Sequence, residues 1–118
     1  MVNCHCRDCQ KASGSAYSPT LIVNASSLKL SKGEPKYYFV LAESGNTARR
    51  GFCADCGTPL FAGSSAKTEF LGIKVSSLDD PSWFKPVANV WTCSAQPWDI
   101  LDPNVPSYSK NRPRPSGP

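Results

Sequence analysis

A chain of 118 residues suits one compact domain, and no apolar run in it approaches the ~20 residues that a membrane-spanning helix needs. The apolar share is 40%, with 11 prolines and 8 glycines, a loop-rich balance that points away from long helices and towards short strands joined by turns. The formal charge of +4, from 13 Lys and Arg against 9 Asp and Glu, is too weak to select nucleic acid or an acidic ligand as a partner.

Residues 1–16 hold a cysteine cluster followed by the polar stretch Ser13 to Ser15. Tyr17 to Val23 reads as a strand, and Leu28 to Leu30 is a short apolar patch before a turn at Lys32 to Pro35. Tyr37 to Leu41 is the clearest strand, an aromatic and β-branched run, and Ser44-Gly45-Asn46 marks the next turn. Arg49 to Phe52 leads into a Cys53 to Cys56 knuckle and Pro59 to Ala62 leads out of it, with Gly57 supplying a permissive backbone. Phe70 to Val75 is a further strand, and Ser76 to Pro81 a loop or single helical turn. Val87 to Cys93 is the last strand, and the chain after Trp98 is Pro-rich and irregular. These segments predict a mainly β domain with little helix over residues 1–105. A Pro-rich basic tail over 106–118 follows, solvated and carrying Lys110, Arg112 and Arg114. No N-terminal segment reads as a secretion signal, so a cytoplasmic location is expected.

The six cysteines are spaced as Cys4-x-Cys6-x-x-Cys9, Cys53-x-x-Cys56-Gly57 and Cys93 alone. Tight pairs of this kind in a reducing compartment suit a metal better than disulfides. Zinc takes four ligands with Zn–S near ~2.3 Å, so its sulfurs converge to roughly 3.7 Å of one another. In an extended segment, residues i and i+2 share a face, so Cys4 and Cys6 point together. Two further residues let the backbone turn and bring Cys9 to the same point. Such a trio leaves a fourth position open, the mark of a catalytic rather than a structural zinc site. Cys53 and Cys56 supply two more ligands. The pair could join two sulfurs of the first cluster, borrow ligands from another subunit in a homo-oligomer, or stay empty.

His5 lies between two candidate ligands, so its ring is expected to project away from them as a bystander. Cys93 alternates with Asn89 and Trp91 and is expected to be a buried structural cysteine. Asp8 and Asp55 sit inside the cysteine loops, either forming turns or orienting amides around the thiolates.

The run Cys4-His5-Cys6-Arg7-Asp8-Cys9-Gln10-Lys11-Ala12-Ser13-Gly14-Ser15 closely resembles a motif of the glutathione-dependent formaldehyde-activating family, which includes the centromere protein V domain. Arg50 to Leu60 resembles that family's later knuckle, and Ser77 to Pro81 and Trp91 to Trp98 resemble its closing segments, so the resemblance runs in order along about the whole chain. It implies an Mss4-like β fold, zinc as cofactor and carbon–sulfur lyase-type chemistry that joins glutathione and formaldehyde as S-hydroxymethylglutathione. Carried over by position, Cys4, Cys6 and Cys9 match the catalytic zinc ligands, and Cys53 and Cys56 match half of a structural site. The other half is an upstream Cys-x-Cys motif with no counterpart in Met1-Val2-Asn3. The expectation is therefore a domain that lacks its N-terminal segment or has lost the second site. Arg49, Arg50 and Lys11 are candidates to pair with glutathione carboxylates. The competing reading is a non-catalytic zinc module whose cysteines only hold a small β domain together. A nucleic-acid partner ranks last, because no dense basic patch is interleaved with aromatics.

Overall fold

The computed structural model describes residues 1–42 and 44–112. Its elements in chain order are β1 (Val2–Cys4), α1 (Arg7–Ser13), β2 (Ser18–Asn24), β3 (Lys36–Leu41), β4 (Thr47–Phe52), β5 (Pro59–Ser64), β6 (Phe70–Lys74) and β7 (Ala88–Val90), with three short 3-10 turns between or after them. The strands form one sheet in the order β3-β4-β5-β6-β2-β1-β7. Every pairing is antiparallel except that of β1 with β7, where Val2 lies opposite Ala88 and Cys4 opposite Val90. The expected mainly β architecture with little helix is what the chain adopts.

The strands form where β-branched and aromatic residues alternate with small or polar ones. The expected strands at 17–23, 37–41 and 70–75 lie within a residue of β2, β3 and β6. The loop after β6 begins as one 3-10 turn, Val75–Ser77, closed by the Ser77 hydroxyl donating to the Lys74 carbonyl at 2.6 Å. Between Gly51 and Phe52 the register of β4 against β5 slips, a bulge that redirects the strand immediately before the Cys53 knuckle. In that knuckle the Gly57 amide donates to the Cys53 carbonyl at 2.9 Å with Gly57 at φ +77°, a conformation that favours glycine.

Two features of the N-terminal and C-terminal segments differ from expectation. The stretch 7–13 is helical, because Cys6 caps its start and Gly14, at φ +64°, closes its end by donating to the Gln10 carbonyl. The final strand stops at Val90, because Trp91 turns the chain through a left-handed conformation (φ +58°) into a 3-10 turn over Thr92–Ser94. Cys93 therefore sits exposed in a turn, which corrects its reading as a buried strand cysteine.

The apolar core is small. Ala88, Val90 and Trp91 are buried together, with Val2, Cys4, Cys6 and Tyr108 packed against them. The start of the Pro-rich segment keeps exposed side chains but is tied to this layer by Tyr108 and by backbone hydrogen bonds. Asn89 donates to the Pro106 carbonyl at 2.8 Å, Tyr108 donates to the Asn89 carbonyl at 2.8 Å, and Trp91 donates to the Lys110 carbonyl at 3.0 Å. Arg114, expected in that tail, lies outside the described residues. Beneath α1 the buried face of the sheet is polar instead of apolar, made by Ser18 and Thr20 of β2, Arg50 of β4 and Lys74 of β6. Among the described residues no helix is long and apolar enough to cross a membrane.

Candidate metal centre

The end of β1 and the start of α1 deliver three sulfurs to one point. Cys4 ends β1, Cys6 is the cap of α1 with an extended backbone, and Cys9 lies in the helix's first turn. The Cys6 Sγ accepts from the Cys9 amide at 3.3 Å, the role usually given to a serine or aspartate oxygen at this position. The three Sγ atoms lie within 4.8 Å of one another. Zinc thiolate sulfurs stand roughly 3.7 Å apart, so the donor set suits a soft, thiolate-preferring ion and this cluster could hold one. Cys53 and Cys56 do not join this group, and all six cysteines are free thiols.

The proton distribution in the trio follows from its contacts. Hydrogen bonds from Cys4 and then Cys6 hold the Cys9 thiol far below the ordinary thiol range, against the opposing effect of burial, and the Lys74 and Arg50 cations add to the lowering. Cys4 is raised because it serves as the donor to Cys6 and Cys9 and is itself buried. Cys6 accepts from Cys4, which lowers it, but its bond to Cys9 and its burial prevail and it is pushed up to about 11. These contacts favour a thiolate at Cys9 over one at Cys4 or Cys6 in the metal-free trio.

Two buried cations face that thiolate. Arg50 is 7% exposed, and its Nη2 lies 3.6 Å from Cys9 Sγ. Burial works most strongly against its charge, but Cys9, Cys6 and Tyr38 together outweigh burial and raise its pKa. Lys74 is 4% exposed and donates from Nζ to the Ser18 hydroxyl at 2.9 Å and the Thr20 hydroxyl at 3.2 Å. Burial lowers its pKa, and Cys9 partly offsets this. Both cations line a cavity of about 320 Å³ whose walls include Ala12 of α1 and the aromatic rings of Tyr38, Phe52 and Phe61. The cavity also reaches Gly57 and Pro59, so the knuckle forms part of its rim.

A second group of polar residues braces the trio from behind. Gln10 Nε2 donates to the His5 carbonyl at 2.7 Å and the Ser94 carbonyl at 2.9 Å, while its Oε1 accepts from Gln96 at 3.0 Å and from Arg7. The His5 ring is buried away from the sulfurs, between Asn89, Asp99 and the Tyr17 ring. As expected it is no part of the sulfur cluster, but it is a fixed contact and not a loose bystander. Of the three basic residues considered for a substrate anion, only Arg50 is buried at the site. Lys11 is exposed, and Arg49 lies 4.8 Å over the Tyr37 ring.

At the knuckle, Cys56 is exposed with its Sγ 3.0 Å from the Thr58 hydroxyl, and that bond, then the Thr58 amide and Cys53, lowers its pKa. Asp8 and Asp55 make no contact with the trio that the structure shows. Sequence reading missed Gln10, Lys74, Asn89 and Asp99. Lys74 carried a usable signal, a lone cation within the apolar strand Phe70–Lys74, whereas nothing local marked Asp99.

The fold and the trio define a small, mainly β domain organised around a thiol cluster suited to a metal ion. The more specific statement comes from a family model described as glutathione-dependent formaldehyde-activating enzyme, which matches residues 1–94. The chain belongs to that family. No curated protein matches it.

Proposed function

We propose that this protein is a zinc-dependent carbon–sulfur lyase-type enzyme acting on the adduct of a thiol and an aldehyde, with glutathione and formaldehyde, combined as S-hydroxymethylglutathione, as the pair. The observation that carries this reading is the convergence of only three thiols, Cys4, Cys6 and Cys9, beside a cavity large enough for a small molecule. A purely structural zinc site uses four protein ligands. In this reading Cys4, Cys6 and Cys9 hold the ion, and Cys53 and Cys56 supply two ligands of a second site completed from outside the described residues.

Bound zinc would supply Lewis acidity that keeps an incoming thiol ionised near neutral pH. The chain's own residues do the rest. The α1 cap and the Gln10 clamp fix the sulfurs relative to the sheet. Arg50 and Lys74 balance the negative charge of the thiolates at a buried site, where an uncompensated anion would be costly. The aromatic walls take the apolar part of the substrate and limit the water around it. In the reaction the sulfur lone pair forms the C–S bond, the carbonyl π pair moves onto oxygen, and that oxygen takes a proton. The lyase direction reverses each step.

The test is zinc content of the purified protein combined with glutathione binding by wild type and Cys9→Ser. Tight zinc binding and glutathione affinity in wild type, both lost in Cys9→Ser, are expected. Zinc binding with no glutathione affinity in wild type would leave only a structural zinc module.

A further inference from the structure

The guanidinium of Arg50 is unusual in one respect. It is 7% exposed, yet its Nε and Nη1 have no hydrogen-bond partner among the described residues, and only Nη2 has one, the Cys9 sulfur. A charged donor buried without partners costs a few kcal/mol, and such a group in a native structure calls for an explanation, a bound ion, a water or a catalytic role among them. Arg50 is also a wall of the 320 Å³ cavity, as is Lys74, whose ammonium has two of its three protons taken by Ser18 and Thr20. The other named walls, Ala12, Tyr38, Phe52, Pro59 and Phe61, carry no cation, and among the described residues no carboxylate lines the cavity. A pocket with apolar walls and unmatched positive donors beside a sulfur cluster is built to receive negative charge on oxygen.

We propose that Arg50, with Lys74 beside it, is an oxyanion-receiving site of this cavity that accepts an anionic oxygen of the substrate through the unpartnered Arg50 Nε and Nη1. The inference rests on the thiol–aldehyde reading for the identity of that oxygen. It is either a carboxylate of the thiol or the alkoxide that forms when the sulfur lone pair makes the C–S bond and the carbonyl π pair moves to oxygen, to be protonated from solvent afterwards. Both present the same chemistry to the guanidinium.

The two sources separate in one experiment on the metal-loaded protein. Binding of 3-mercaptopropionate and of the neutral 3-mercapto-1-propanol is measured by calorimetry for wild type, Arg50→Gln and Arg50→Lys, together with kcat for adduct formation with formaldehyde. If the oxygen is a carboxylate, wild type prefers mercaptopropionate by about tenfold or more, Arg50→Gln abolishes the preference and Arg50→Lys restores part of it. If it is the alkoxide, wild type shows no preference, and Arg50→Gln lowers kcat by about a hundredfold at unchanged thiol affinity. A preference and a kcat both unchanged in a folded Arg50→Gln protein would overturn the site. Titration of acetate into metal-free wild type, followed by the Arg50 Nε resonance, is independent of the reaction. A saturable shift in a protein without lyase activity retains the oxyanion site and removes the lyase reading. Should Arg50→Gln fail to fold, the absence of that shift in wild type overturns the proposal.

Discussion

The Nδ1 of His5 stands 3.3 Å from Oδ2 of Asp99, while its Nε2 stands 3.3 Å from Oδ1 of Asn89. Neither His5 Nδ1 nor Asp99 Oδ2 has an aligned hydrogen-bond partner, so the first contact is a proximity of charge and polarity instead of a directed bond. His5 is 1% exposed and lies between Cys4 and Cys6. Its ring therefore couples the sulfur loop to β7 and to the segment that follows Trp98. Replacing it by Ala removes a buried ring and strands the side-chain oxygen of Asn89. His5→Ala is expected to lower stability by about 1–3 kcal/mol and to weaken metal binding, since Cys4 and Cys6 lose their fixed spacing. Urea denaturation and competition with a chromophoric chelator read the two effects. A variant with unchanged unfolding midpoint and metal affinity would show that the ring is only filler.

The metal-free trio makes a definite acid–base prediction. Cys9 has a folded pKa below its unfolded value near 9.0, so its contribution to stability is complete above that value and is lost as pH falls through the folded pKa. Cys4 is raised and Cys6 is pushed up to about 11, so their contribution runs the other way. It is complete below the unfolded thiol value and is lost as pH rises through about 11 for Cys6. In a Cys53→Ser, Cys56→Ser, Cys93→Ser background, thiolate absorbance should report one thiolate per chain across neutral pH and a second only in strong alkali. A trio with no thiolate at neutral pH would contradict the hydrogen-bond assignment. Lys74→Gln removes one of the cations that favour the Cys9 anion and should move the first transition upward.

Gly72 of β6 is a position where the sheet leaves no room for a side chain. A Cβ there would sit 2.7 Å from the Thr20 methyl and 3.2 Å from the Ala62 carbonyl oxygen. Thr20 is buried and its hydroxyl accepts from Lys74, so it cannot swing aside without loosening the ammonium. Gly72→Ala is expected to cost about 1–3 kcal/mol, seen as a lower denaturation midpoint. The same substitution at a site that merely prefers glycine for flexibility would stabilise the chain by reducing its unfolded-state entropy. A gain in stability would refute the packing account.

The strands were legible because their residues declare themselves locally. Tyr37 to Leu41 is dense in aromatic and β-branched side chains, and the knuckle is bracketed by turn signals. Helix 7–13 was hidden because its only buried residues are Cys9 and the polar Gln10, which give no apolar period to read. The stretch from Pro106 to Lys110 was unreadable for a different reason. Its order comes from backbone bonds to β7, and prolines mask a segment whose partner lies elsewhere in the chain. In the site, cysteine spacing located the trio, but alternation could say only that Arg49 and Arg50 face opposite ways. The packing of β4 against its neighbours decided that Arg50 turns inward while Arg49 stacks on Tyr37.

The two cysteine groups make the last prediction, on metal stoichiometry. Cys4, Cys6 and Cys9 converge without help from the knuckle, and Cys56 is exposed, next in the chain to Gly57 of the cavity rim. If each group binds on its own terms, Cys53→Ser with Cys56→Ser leaves the zinc of the trio in place and changes the stability of the metal-free chain by no more than about 1 kcal/mol, since Cys56 is exposed and Cys53 only half-buried. Cys9→Ser, by contrast, removes a buried sulfur that accepts from Arg50 and leaves two thiols, so tight zinc should fall to the level of a two-ligand site. Elemental analysis after gel filtration in a weak chelator gives the counts. The opposite pattern, zinc lost with the knuckle pair and retained in Cys9→Ser, would mean that the ion sits at the knuckle. The lyase reading, which needs an ion beside Arg50 and the cavity, would then lose its centre.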